Sequence, residues 1–238
     1  MRFLAITALL LSLGGIARLI VSSPRVEPPT IAPNEVLDFD ALYGANCSGC
    51  HGSNGRNGPA TPVGDPTYLA IADDSVVRGA IANGVSGTPM PAFAQSAGGM
   101  LTDKQVEALV NGIRMRWATP RAHAIDFPPY AAAMGDPSRG VKAFSVYCAS
   151  CHGPTGTGGP RATSIVDGSF LALTSDQGLR TSVIVGHPEF GFPDWQNDTP
   201  RHPMSAQEIS DVVAWMAAQR PKYPGQPYAL SHNTGGSR

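Results

Sequence analysis

The feature that most constrains this chain is a five-residue pattern that occurs twice and uses every cysteine. Cys47-Ser48-Gly49-Cys50-His51 and Cys148-Ala149-Ser150-Cys151-His152 stand 101 residues apart in a chain of 238. The surroundings repeat with them. Ala41 to Asn46 matches Lys142 to Tyr147 at the same offset, and Gly58-Pro59 falls on Gly159-Pro160. Leu101-Thr102-Asp103-Lys104-Gln105-Val106 aligns with Met204-Ser205-Ala206-Gln207-Glu208-Ile209 at an offset of 103. Self-similarity on that scale marks a tandem duplication. The halves run over 36–118 and 134–220, with an Ala/Pro-rich linker at 119–133 and a polar tail at 221–238.

Two cysteines separated by two residues and followed at once by histidine form the attachment signature of a c-type haem. On one helical turn the two thiols can add to the two vinyl groups of a porphyrin, and the next residue then lies under the iron. A thioredoxin-like pair or half of a zinc site is the competing reading of Cys-x-x-Cys. The redox pair does not require the histidine, and its βαβ context is missing; a four-cysteine zinc site would use no histidine and leave the duplicated helices unexplained. The expectation is two covalently attached haem c groups, held by Cys47, Cys50 and His51 and by Cys148, Cys151 and His152, with both histidines on iron.

Composition agrees. Aromatics are 7% and charged residues 15%, while Gly (27) and Pro (22) make up about a fifth of the chain, a loose mixture for filling two small cores. Small domains usually need a metal, a cofactor or disulfides. Periodicity makes each half helical: Asp38 to Asn46 and Pro137 to Tyr147 lead into the cysteine pairs. Val106, Leu109, Val110 and Ile113, like Ile209, Val212, Val213 and Met216, share one face of a closing helix. Thr102 and Ser205 are the N-caps of those helices, with Leu101 and Met204 in the staple position. Gly/Pro-rich loops lie between, with one or two short helices such as Asp73 to Ala82 and Ser175 to Val185.

On Cys47 to Gly52, Cys148 to Gly153, Met90-Pro91-Ala92-Phe93 and the closing helices, the chain resembles the tandem class I cytochromes c, small mono-haem helical domains joined in one dihaem chain. The resemblance implies an all-α fold of two tandem cytochrome c domains whose first and last helices cross at the haem edge, with Tyr43, Phe144 and Trp215 packed there. It makes Met90, 39 residues after His51, the sixth ligand of the first iron, in a loop stiffened by Pro89 and Pro91. Met100 reads as packing. Pro59 and Pro160 match the family's proline that supports the proximal histidine through its loop carbonyl. His/Met ligation leaves no open iron position and suits electron transfer.

The second half departs from the pattern, because Phe192 in Gly191-Phe192-Pro193-Asp194-Trp195 occupies the slot of Met90. Met204, preceded by Pro203, is nominated as the replacement ligand, although it also aligns with Leu101 as a staple residue. His202, His187 and a five-coordinate iron are the alternatives. An open iron would bind small ligands or support peroxidatic chemistry. His123 and His232, in linker and tail, read as solvated.

Residues Met1 to Ser23 carry Arg2, an apolar run from Phe3 to Ala17, then Arg18 and Leu19-Ile20-Val21, the marks of an export signal or an uncleaved N-terminal anchor. A Pro-rich linker, 24–35, follows. The expected location is periplasmic or otherwise extracytoplasmic, on the inner membrane if the segment stays. Net charge is −1 with pI near 6.6 and no Lys/Arg run, which argues against a nucleic-acid partner. The halves carry seven acidic against five basic residues and eight against six, so no strong docking field arises. No phosphate loop or catalytic triad is visible, and no catalytic residue is assigned. The expected function is electron transfer in a respiratory or dehydrogenase-linked chain, with redox proteins as partners. The alternatives are a dihaem peroxidase-like enzyme with an open second haem and a cytochrome subunit of a larger oxidoreductase complex.

Overall fold

A computed structural model describes residues 31–119, 126–196 and 202–222. The export segment, most of the Pro-rich linker, His123, His232 and nearly all of the tail lie outside the described residues. Of the unit that precedes Val36, the described part is a 3-10 turn, Pro33–Glu35.

Each half repeats one sequence of helices. The first contains α1 (Phe39–Asn46), α2 (Ser48–His51), α3 (Pro66–Ile71), α4 (Asp74–Asn83) and α5 (Asp103–Trp117). The second contains α6 (Pro137–Tyr147), α7 (Ala149–His152), α8 (Gly168–Leu173), α9 (Asp176–Val185) and α10 (Ala206–Ala217). Among the described residues, extended pairing is limited to two isolated bridges, Ala94 with Leu101 and His187 with Phe192. The fold is all-α, and the Gly/Pro-rich loops also contain the short helices α3 and α8.

Side-chain caps decide where most of these helices begin. Asp38, Asp65, Asp73, Asp136, Asp167 and Ser175 each accept a hydrogen bond from a backbone N–H in the first turn of the helix that follows. Thr102 with Gln105 and Ser205 with Glu208 form reciprocal capping boxes. Each such cap stabilises its helix by about 1 kcal/mol, so much of the acidic charge is punctuation for short helices that are marginal alone.

Each half has its own core. Leu42, Tyr43, Tyr68, Leu69, Val106, Leu109, Val110 and Ile113 belong to the first, and Phe144, Leu171, Leu179, Ile184, Ile209, Val212, Val213 and Met216 to the second. The expected aromatic contacts form where first and last helices cross. Tyr43 meets Trp117 edge-on with ring centroids 5.1 Å apart, and Phe144 lies against Trp215 at 4.3 Å. The two crossings solve the fit in opposite ways. In the first half the Phe39 ring lies over Gly112, where an added Cβ would come within 2.9 Å of the Phe39 Cβ. In the second half the large residue has changed helix: Gly140, at the position of Phe39, faces Trp215, at the position of Gly112, and an added Cβ would stand 2.7 Å from the Trp215 Cβ. Met100 does not pack: it is 79% exposed, and Leu101 beside it enters the core at 6%.

Arginines lock the turns ahead of α4 and α9. Arg114 donates to the carbonyls of Leu69 and Ala72 and to Asp74. Arg220 binds the matching acceptors at Leu171, Thr174 and Asp176, although it sits three residues further along its half than the repeat of Arg114 would. The halves also meet. Val185 of α9 enters the first core, and Ile71 packs against both. Arg78 pairs with Glu107 at 2.7 Å, whereas its counterpart Arg180 finds Ser210 (3.1 Å) in place of the acid and donates also to the linker carbonyls of Pro129 (2.9 Å) and Tyr130 (3.1 Å). Gln177 adds a bond to Tyr130 O at 2.8 Å, so this part of the linker is fastened to α9.

Candidate functional site

Helices α1 and α2 are nearly continuous, and Cys47 is the joint. It closes α1 by donating to Tyr43 O (2.9 Å) and opens α2 by accepting from His51 N (3.0 Å). Cys148 repeats both bonds between α6 and α7, with Phe144 O and His152 N. This places both cysteines and the histidine of each motif on a single helical turn. The loop beyond folds back so that the carbonyl of Thr61 lies 2.7 Å from His51 Nδ1, and that of Thr163 lies 2.9 Å from His152 Nδ1. A carbonyl can only accept, so Nδ1 carries a proton in both rings, and the neutral form of each ring has its lone pair on Nε2. The acceptors are these threonines, two or three residues beyond Pro59 and Pro160, which corrects the assignment of that role to the prolines. Burial pushes the His51 pKa down against the opposing pull of Thr61, which keeps the ring neutral. The Tyr43 hydroxyl adds a bond to Gly52 O at 2.8 Å, whereas Phe144 in its place has no hydroxyl.

The chemistry of the thiols separates haem attachment from the other Cys-x-x-Cys readings. Burial, with Cys50 as neighbour, pushes the Cys47 thiol up to about 11, and burial, with Cys151 as neighbour, pushes Cys148 up to about 12. A redox dithiol depends on the opposite shift, toward thiolate. All four cysteines are free. Among the described residues, no three His, Cys, Asp or Glu side chains gather where they could hold one metal ion, so the two pairs do not assemble a zinc site.

The distal loops have equal length and the same frame. Gly84 and Gly186 end α4 and α9 at φ of 69° and 62°, the left-handed region where glycine is at ease. Each lets the later loop close on it. A Cβ on Gly84 would be 2.7 Å from Met90 O and 2.6 Å from Pro91 C, and one on Gly186 would be 2.6 Å from Pro193 C. Val85 N donates to Met90 O at 3.1 Å as His187 N does to Phe192 O at 3.0 Å. Phe93 N reaches Ile81 O and Trp195 N reaches Ile184 O, both at 3.1 Å, the second acceptor lying one residue beyond the repeat of the first. Phe192 therefore occupies the backbone position of Met90, and its ring stacks on His152 with centroids 6.1 Å apart and planes 24° from parallel. Met204 occupies the position of Leu101: its N–H donates to Trp195 O as that of Leu101 does to Phe93 O. It is 4% exposed, in the cluster with Phe144, Leu171 and Trp195.

The residues present fit a haem c. Each motif offers two thiols and, on the same turn, an imidazole oriented by the bond from its Nδ1 to a loop carbonyl. Trp195, 8% exposed, holds its Nε1–H without a partner, the one buried side-chain donor so placed among the described residues. A buried donor left unpaired costs about 1–3 kcal/mol, and a propionate carboxylate is an acceptor of the kind it lacks.

Two stretches of the chain, 34–111 and 135–216, match the family described as cytochrome C oxidase, cbb3-type, subunit III. The chain belongs to this family. Its two cytochrome c segments in tandem imply haem c as the cofactor, and the matched residues contain both attachment motifs, Met90, Phe192 and Met204. Among curated proteins, the cytochrome c subunit of the cytochrome bc1 complex from Mycobacterium tuberculosis is 24% identical over 227 residues, spanning 89% of this chain and 74% of its own; the Mycobacterium bovis protein gives the same values. Solved structures with similarity are the reducing HAO-like protein complex of Kuenenia stuttgartiensis (16% identity, TM-score 0.44, 82% of this chain and 100% of that one) and the thiosulfate dehydrogenase of Marichromatium purpuratum (19%, 0.32, 89% and 51%). Membership of a cytochrome c family places the chain in respiratory electron transfer in the general sense. What sequence reasoning missed in this cbb3-type cytochrome are the partners of known residues, the Thr61 and Thr163 carbonyls and the unpaired indole of Trp195.

Proposed function

We propose that the protein is an exported electron-transfer subunit that holds two covalently attached haem c groups and has no catalytic residue of its own. The observation that carries this reading is the duplicated turn in which two cysteines stand beside a histidine whose Nδ1 proton is fixed on a backbone carbonyl. Bound haem supplies reversible one-electron exchange at iron. The protein's work is positioning. Cys47, Cys50, Cys148 and Cys151 would hold the cofactors, Thr61 O and Thr163 O keep a proton on each Nδ1, and Nε2 of His51 and of His152 would be the nitrogen offered to the metal. Met90, carried by the loop that closes on Gly84, would supply a sulfur ligand to the first haem.

A larger respiratory complex as partner is supported by the mycobacterial relative, which is named as a subunit of one. Among the described residues no helix is long and apolar enough to cross a membrane; in this reading the apolar segment from Phe3 to Val21 serves as export signal or anchor.

The test is spectroscopy of the exported, full-length protein. Two covalent haems per chain are expected by alkaline pyridine assay, with a weak sulfur-to-iron band at the red edge of the oxidised spectrum. Met90→Leu removes that band. A chain that matures without covalent haem refutes the reading. Recovery from membrane extracts inside a larger assembly supports the subunit role, and a protein found only free in the periplasm contradicts it.

A further inference from the structure

We propose that the second haem site binds a small exogenous ligand, a diatomic π-acceptor such as carbon monoxide or nitric oxide, on the face opposite His152. The inference rests on the haem reading above and deepens it. In the first half the loop from Gly84 to Phe93 presents Met90. In the second half the loop from Gly186 to Trp195 has the same length, repeats the bond of Val85 N to Met90 O as His187 N to Phe192 O and that of Thr88 N to Val85 O as Phe190 N to His187 O, and presents Phe192. A phenyl ring has no lone pair to give a metal. That ring is stacked on His152, so the loop that brings a sulfur to the first site brings an apolar wall to the second.

The three other candidate ligands of the second half are each placed otherwise. Met204 does for the second core what Leu101 does for the first, down to the hydrogen bond of its N–H. His202 is exposed; its Nδ1 donates to Pro203 O at 2.9 Å and the ring lies against the Tyr147 hydroxyl at 2.8 Å. His187 stands at the position of Val85, at the start of the loop, with its ring against Phe190 at 6.0 Å. The site is thus built with one imidazole and one apolar face, a combination that leaves the metal's sixth position to a ligand from solution. Binding is an addition at that position, and no electron transfer accompanies it. An apolar wall favours a neutral diatomic over an anion, which would lose its hydration without a compensating donor.

Carbon monoxide titration of the reduced, full-length protein tests this, with covalent haem counted separately by the pyridine assay. The expected result is one carbon monoxide for every two haems. Phe192→Met should abolish uptake and add a second red-edge sulfur band. Phe192→Leu should keep uptake at one, which guards against a variant that loses binding by misfolding. Met204→Leu should leave both uptake and the sulfur band unchanged. A stoichiometry of zero or of two on protein that carries two haems overturns the inference and leaves the electron-transfer reading standing. Absence of covalent haem, by contrast, refutes that reading itself.

Discussion

Glycine to alanine inside a helix normally stabilises a protein by up to about 1 kcal/mol. Gly140 in α6 should do the reverse. A methyl group there would meet the carbonyl of Asp211 head-on and stand 2.7 Å from both Asp211 C and Trp215 Cβ, where ordinary contact begins at 3.4 Å. All three atoms are backbone or the first atom of a side chain, so no rotamer change relieves the clash. The helices α6 and α10 must separate by at least the missing ~0.7 Å, and separation loosens Phe144 from Trp215 and Arg139 from Asp211, now paired at 2.8 Å. Overpacking of this kind costs about 3 kcal/mol; with the helix-propensity gain subtracted, Gly140→Ala should destabilise by about 2 kcal/mol. Gly79 in α4 is the control, because nothing lies within 4 Å of its added Cβ, and Gly79→Ala should stabilise by about 0.5–1 kcal/mol. At roughly 2–4 °C per kcal/mol for a chain of this size, thermal unfolding followed by far-UV circular dichroism should place the two variants on opposite sides of wild type. A Gly140→Ala protein as stable as wild type would refute the account of the helix crossing.

Asp211 is held down to about 2, first by the Arg139 guanidinium and also by bonds from Asp136 N and Gln207. A depressed carboxyl stabilises the fold above its unfolded pKa, so its contribution of about 2 kcal/mol should be intact above pH 4 and disappear as the pH falls toward 2; Asp211→Asn should flatten urea stability across that window. Trp195→Phe, which puts in the second half what Phe93 is in the first, removes the unpaired indole donor. It should shift the second haem's reduction potential in a redox titration and leave the first alone, and an unshifted pair would mean that the indole does not serve the cofactor. Arg220→Ala removes three hydrogen-bonded acceptors' partner at the start of α9 and should speed amide exchange there well before it affects α4.

The sequence was most legible where chemistry needs fixed spacing. Cys47 to His51 and Cys148 to His152 set the attachment turns, and Thr102 and Ser205 marked the starts of α5 and α10 because a capping side chain must stand at one particular place. Ser175 and Asp73, read as first helical residues, are the caps of α9 and α4, a shift of one position. What stayed hidden depends on carbonyl groups and on packing between distant residues. Every residue has a carbonyl, so nothing in the letters distinguishes Thr61 from Pro59 as the partner of His51. The exchange of Phe39 over Gly112 for Trp215 over Gly140 needs the helix crossing to be known before it can be seen. Arg114 and Arg220 reach matching acceptors from positions that do not align, which an offset search cannot find.

Arg180 and Val185 change what the duplication means for the molecule's modularity. Two copies in tandem suggest cassettes that could be cut apart and reused. Here a helix of the second copy supplies a side chain to the interior of the first, and a buried guanidinium, with no carboxylate partner among the described residues, donates to the connector's carbonyls as well as to Ser210. Cleavage between the copies would leave one with a gap and the other with a stranded charge. The connector's described part is thus a structural member, and the spacing between the two attachment turns is set by packing between the copies as well as by the length of chain that joins them.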